Sequence, residues 1–209
     1  MRLRTIYKYF VLMCIAFTMV VGCGDMSNTQ SSDYCDALLP HLAEGDLLFR
    51  RGSGVVGRIV TSVDNVGEYS HVGIVVKRDG EWHVVHAVPH EHDFKGDFDR
   101  VKCDPINHFV DYYSGADIGL YRPQVSPEQV RAAVGNALRL SRMKVEFDHD
   151  YDLGDTTKLY CTELVEYVYE LAGVSLSEGR RTDISFMGFS GPHIMPSDLT
   201  QSTKLKPIF

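Results

Sequence analysis

Three things are missing from this 209-residue chain, and each removes a class of function. No two cysteines stand in a CxxC spacing, so a structural zinc site has little to build on. There is no cluster of basic residues and the formal net charge is −7, so nucleic acid is not an expected partner. No apolar run approaches the ~20 residues that a membrane-spanning helix needs. The strongest one, at 10–22, has only thirteen. A fourth absence is local. Asp148, Asp150, Asp152 and Asp155 crowd the stretch 147–155 and suggest calcium, but the closing Glu of an EF-hand is not there. A structural loop is the favoured reading of that stretch.

What is present begins with Arg2, Arg4 and Lys8 ahead of the 10–22 run, a basic start and a short apolar stretch that read as an export signal. Val20-Val21-Gly22-Cys23 at its end resembles a bacterial lipobox, in which the cysteine is lipidated and becomes the first residue. The expectation is a signal peptide at 1–22, a lipid anchor on Cys23, a polar tether over 23–32 and one domain over 33–209. An ordinary signal peptide cut nearby is the competing reading. Gly24 after the cysteine points by the same resemblance to the outer membrane of a cell envelope. Cys14 leaves with the signal. An oxidising exported environment allows a Cys35–Cys103 disulfide, and Cys161 is then left over as a candidate reactive thiol.

The chain is organised around two apolar runs, 68–76 and 81–88, on either side of Lys77-Arg78-Asp79-Gly80. Asp-Gly between β-formers signals a hairpin. If Asp79 and Gly80 form the two-residue loop, Gly73 falls opposite His86 and His71 opposite Val88. Side chains alternate with period two, so His71 and His86 share a face as diagonal neighbours while His83 takes the other.

Around the hairpin the sequence predicts a short helix at 36–42, a turn and strand at 44–50, and a helix at 54–63. Gly52, Gly54 and Gly57 weaken that last helix and mark a loop beside a binding groove. A helix is expected at 104–113, with Ile106, Phe109, Val110 and Tyr113 on one face, then a strand at 117–122. Ser126-Pro127-Glu128-Gln129 is a capping-box start for a helix reaching Met143. Residues 160–173 make a second helix, stopped by Gly173. Cys161 sits on its buried stripe at the first turn, where the helix dipole lowers a thiol's pKa. A long loop is expected at 175–191, a short turn at 196–199 and a strand at 204–209.

A thiol, an imidazole to take its proton and a polar group to orient that imidazole make a cysteine hydrolase. Cys161, His71 and His86 supply all three, and the geometry leaves open which histidine is primary. Gly45-Asp46-Leu47-Leu48-Phe49, Ser70-His71-Val72-Gly73-Ile74, Val85-His86-Ala87 and Cys161-Thr162-Glu163-Leu164-Val165 resemble the motifs of the NlpC-type, papain-like cysteine peptidases. In most members the cysteine motif comes first. Here it comes last, which resembles the circularly permuted, YiiX/YebB-like branch. The resemblance implies an α+β fold, with a central antiparallel sheet packed against the cysteine helix. It also implies Cys161 as nucleophile, His71 as general base and acid, and His86 as the orienting residue. No cofactor is implied. The usual Asp-Cys-Ser-Gly is replaced by Tyr160-Cys161-Thr162-Glu163, which removes an aspartate that reads peptide amino termini. The Cys161 backbone N–H is an expected oxyanion donor, with the Tyr160 or Tyr69 hydroxyl as candidate second donors.

The leading expectation is therefore an envelope hydrolase cleaving an amide or ester of a cell-wall peptide or an acylated, lipid-like substrate. The alternatives are an acyltransferase, a silent binding module with a papain-like cleft, and a metal site made by His83, His90, His92 and Asp93.

Overall fold

The computed structural model describes residues 35–52, 54–111, 117–186 and 189–209. The leader, Cys23, the tether and Tyr113 lie outside them. In chain order the strands are β1 (Leu47–Arg50), β2 (His71–Arg78), β3 (Glu81–Val88), β4 (Arg100–Pro105), β5 (Ile118–Pro123), β6 (Thr182–Phe186), β7 (Phe189–His193) and β8 (Leu205–Pro207). The helices are α1 (Val55–Val63), α2 (Ile106–Asp111), α3 (Pro127–Met143), α4 (Cys161–Glu170) and α5 (Pro196–Thr200). A helical turn over 35–38 and a 3-10 turn, Leu39–His41, precede β1.

Asp79 and Gly80 take φ of 54° and 87°, the pair of positive angles that a two-residue hairpin turn requires. The turn fixes the register, and β2 pairs with β3 from Arg78↔Glu81 to Ile74↔Val85 as the sequence predicts. Antiparallel neighbours extend this hairpin into one sheet of six strands, ordered β4-β3-β2-β1-β5-β8. The fold is α+β.

Two features of the fold carry no clear signal in the sequence. One is β4. Arg100, Lys102 and Asp104 alternate with Val101 and Cys103, a pattern that resembles a solvated segment, yet all three charged side chains are buried. Asp104 and Pro105 belong to this strand, so the helix expected from 104 begins at Ile106. The other is the hairpin β6–β7 inside the expected loop at 175–191. Its register pairs Asp183 with Pro192 and Ile184 with Gly191, and a strand holding Gly and Pro carries little period-two signal.

The sheet separates two cores. Leu47, Phe49, Val72, Ile74 and Val85 face α3 and α4. Leu48, Val75, Val84 and Leu120 face α2 through Ile106, Phe109 and Val110, with Cys35 and Leu38 beside them. Cys35 packs in the second core and Cys103 against the first, and both are free thiols, so the disulfide allowed by the sequence is not formed. α3 has the expected capping box between Ser126 and Gln129. Leu164, Val165 and Val168 of α4 are fully buried, each contributing about 1.5–3 kcal/mol. The Gly45-Asp46 motif proves architectural. Gly45 turns at φ 84° where a Cβ would lie 2.6 Å from Val130, and its carbonyl accepts from the Tyr169 hydroxyl at 2.6 Å. Asp46 holds Arg122 through two hydrogen bonds of 2.8 and 2.7 Å.

Candidate active site

The β2–β3 ladder stops at Ile74↔Val85, while β2 stays paired with β1 to His71↔Arg50 and β3 with β4 to Val88↔Arg100. The two strands part where the histidines sit, and the N-terminus of α4 comes in beside them. The Cys161 thiol accepts backbone hydrogen bonds from Val72, Thr162 and its own amide. A Cβ on Gly73 would lie 2.4 Å from Val84 Cγ1, 2.9 Å from the Val85 carbonyl oxygen and 3.0 Å from His86 Cβ, so the glycine permits the close approach of β3, which carries His86.

His71 Nε2 lies 2.9 Å from His86 Nδ1, and His86 Nε2 lies 3.2 Å from Asp104 Oδ2. Protons can be placed along this line. The Asp104 carboxylate only accepts, so His86 donates from Nε2 and keeps its lone pair on Nδ1. That lone pair accepts from His71 Nε2–H. The free lone pair of His71 is then on Nδ1, the nitrogen not engaged by His86. Asp104 also takes a contact from Lys102 at 3.1 Å, and Lys102 in turn reaches Asp93 at 2.6 Å. Beneath, Arg50 pairs with Glu91, donates to the Phe109 carbonyl at 2.8 Å and lies 4.5 Å over the Phe109 ring. His71 stacks on that ring from the other strand at 5.6 Å.

Burial drives the His71 imidazolium well below its ordinary pKa, and the positive charge of Arg50 adds to this. Burial likewise lowers His86 to about 4, with Asp104 only partly offsetting it. For Asp104, burial pushes the carboxyl up, but His86 and Lys102 outweigh it and hold it ionised. Burial pushes the Cys161 thiol up to about 11, against the three amides and Arg50. The resting pair is a neutral thiol and a neutral imidazole. This corrects the expectation of a standing thiolate: a helix N-terminus is a weaker influence than desolvation here.

Cys161 and His71 open onto a cavity of about 560 Å³. Its far wall is α1, which presents Val55, Val56, Ile59, Val60 and Val63. The three glycines flagged in the sequence line it, and Gly57 is required because a Cβ there would meet the Gly52 carbonyl at 2.5 Å. Tyr160 lies on the wall with its hydroxyl accepting from Ile194 N–H at 2.9 Å. Tyr69 does not, since it packs against Phe49 and Tyr121 in the core. Tyr151 was not foreseen. A left-handed backbone at φ 55° turns it to the cavity beside Tyr160, where burial and the Cys161 charge raise its pKa to about 12.

The other sequence candidates fall apart spatially. His83 sits near the opposite end of β3 from His90, and Asp93 is spent on Arg100 and Lys102. The aspartates of 148–155 accept from backbone amides: Asp148 from Asp150 and Asp152, Asp152 from Gly154, Asp155 from Thr157. That is the structural loop. His86, Glu91 and Asp104 do offer ligand atoms within 4.8 Å of one another. Arg50 and Lys102 already occupy the positions a cation would take, so this cluster does not suit a metal.

The fold resembles a solved structure titled "metalloprotein yiiX" from Escherichia coli O157:H7, at TM-score 0.66 and 17% identity, over 81% of this chain and 97% of that one. No curated protein sequence matches. A family model described as "permuted papain-like amidase enzyme, YaeF/YiiX, C92 family" matches residues 41–206, nearly all of the domain with the cysteine motif in last place, and the chain therefore belongs to that family.

Proposed function

We propose that the chain hydrolyses an amide or ester whose acyl part is apolar, through a thioester on Cys161. The line Asp104–His86–His71, whose last member lines the same apolar cavity as Cys161, carries this reading. Substrate entry places the acyl group along α1 and its carbonyl at Cys161. His71 takes the thiol proton as sulfur attacks, and the neutral pair becomes thiolate and imidazolium only at that moment. The oxyanion forms near the Cys161 backbone N–H, with Tyr151 or Tyr160 as the second donor. The tetrahedral intermediate collapses, and the leaving amine or alcohol departs with the proton from His71. Water then attacks the thioester with His71 again as base, releasing the acid and free thiol. Burial, with the charge of Arg50 adding to it, keeps the imidazoles neutral between turnovers. Transfer to an amine or alcohol in place of water would make the same site an acyltransferase. The export signal and the lipobox-like Cys23 support an envelope location with a lipid anchor.

Incubation with long-chain N-acyl amides and p-nitrophenyl esters, followed by intact mass spectrometry, tests this. The expected result is an acyl adduct on the native protein, none on Cys161→Ser, and a thiol alkylation rate that keeps climbing above pH 9. Absence of both adduct and turnover would leave a binding module. Alkylation saturating near pH 6 would show that the pair rests as an ion pair instead.

A further inference from the structure

We infer a second site, independent of the reading above: His90, His92, His149 and Asp99 form a binding site for a divalent transition metal of the zinc class. Three imidazoles converge on one carboxylate. His92 Nε2 lies 2.8 Å from Asp99 Oδ1, His149 Nε2 3.1 Å from Oδ2, and His90 Nδ1 3.9 Å from Oδ2. The rings of His90 and His149 face each other at 6.5 Å. Three histidines and one carboxylate are a complete donor set for zinc, and imidazole suits the neighbouring metals as well.

The scaffold that gathers them is built, not incidental. Asp99 and the 90–92 stretch belong to the connection between β3 and β4, whereas His149 comes from the segment before α4. Phe147 N–H donates to the Asp99 carbonyl at 2.9 Å and Glu146 bridges Arg100, which brings the second segment alongside the first. His90 sits at φ 62°, an unusual backbone for a side chain of its size, and its N–H donates to Asp99 Oδ1 at 2.8 Å. The Asp99 side chain is only 12% exposed, while the rings of His90, His92 and His149 are 74, 45 and 58% exposed. A fixed carboxylate is thus surrounded by rings with room to turn. Binding at the 2.0–2.1 Å of a zinc–imidazole bond would require these exposed rings to turn toward a common point beside Asp99.

The contrast with the inner acidic cluster is decisive. There Arg50 and Lys102 supply the positive charge. Here the nearby cations are committed elsewhere, Arg100 to Asp93 and Asp97, Lys102 to Asp93 and Asp104. His90 also lines the cavity, and Phe147, edge-on to His149 at 4.9 Å, lines it from the other segment. A bound ion would tie these two rims of the mouth together.

The test is titration of the full-length protein with Zn²⁺ by calorimetry and with Co²⁺ by absorption spectroscopy. The expected result is one bound ion, visible cobalt d–d bands with no thiolate charge-transfer band, and a melting temperature that rises with zinc concentration. His92→Gln and His149→Gln should each weaken binding by about tenfold or more, the scale on which even an outer partner of a metal acts. His83→Gln should leave binding unchanged. Failure to bind either ion overturns the proposal. So does binding that is insensitive to the His92 and His149 changes, or that carries a thiolate band, since the ion would then be on a cysteine.

Discussion

The two walls of the cavity are made of helices of similar length with opposite relations to the core. α4 buries seven of its ten residues against the sheet, and α1 buries none of its nine. Yet α1 is the more apolar of the two, with Val55 69% and Val56 42% exposed. The α4 wall is dense, and the strands it packs against carry a continuous polar line from Asp104 through His86 to His71. The α1 wall keeps an apolar face that the described residues cover only in part, with Val55 and Val56 the most exposed. It is held at its end by Asp64, whose carboxylate accepts from Ser197 N–H at 3.1 Å. On the proposed function, the chemistry would sit where atoms are fixed and the substrate's bulk would meet the wall that can adapt.

Perturbing one wall at a time should separate these roles. The largest effect is expected from Asp104→Asn. An amide can donate to His86 Nε2, which moves the His86 proton to Nδ1 and reverses the line. Turnover should fall by about 10²–10⁴ with KM little changed, by analogy with tautomer errors in serine hydrolases. Steady-state kinetics decides it, and a loss below about tenfold would mean that Asp104 does not set the tautomer. Next comes Arg50→Met, which leaves Glu91 buried and unpaired. Breaking such a pair costs about 3–5 kcal/mol, to be read from urea denaturation. Adding Glu91→Leu should recover most of it; if the double variant is no better, the ion pair is not the cause. The smallest effect belongs to Val56→Ser on the α1 wall. Stability should change by under about 1 kcal/mol, since the residue is half exposed. KM for an apolar acyl substrate should rise by up to about tenfold with turnover at saturation unchanged. A fall in turnover instead would erase the division between the walls.

The sequence made some of this legible and hid the rest for physical reasons. Asp79-Gly80 dictates a turn, the turn dictates the register, and the register places His71 beside His86. That chain of inference is local. The α4 stripe likewise shows that Cys161 faces inward. Asp104 and Arg50 were invisible because their roles depend on which strands are neighbours: Asp104 reaches His86 only through the β3–β4 pairing, and Arg50 lies opposite His71 across β1 and β2. A buried charge also looks in sequence like a solvated one. Tyr151 depends on a left-handed residue in an irregular loop, where no periodicity exists to read. The thiol's protonation differs from the expectation for a related reason: the sequence shows the helix end and the buried stripe, and not how strongly the surrounding walls desolvate the sulfur.

That desolvation has a chemical consequence for endurance. Peroxide and disulfide exchange attack the thiolate, not the thiol. Burial raises the Cys161 pKa to about 11, so the protonated thiol is the resting form at neutral pH. On the proposed mechanism, a thiol that ionises only when a carbonyl is in place would be spared oxidation while idle, whereas a permanent thiolate would react between substrates.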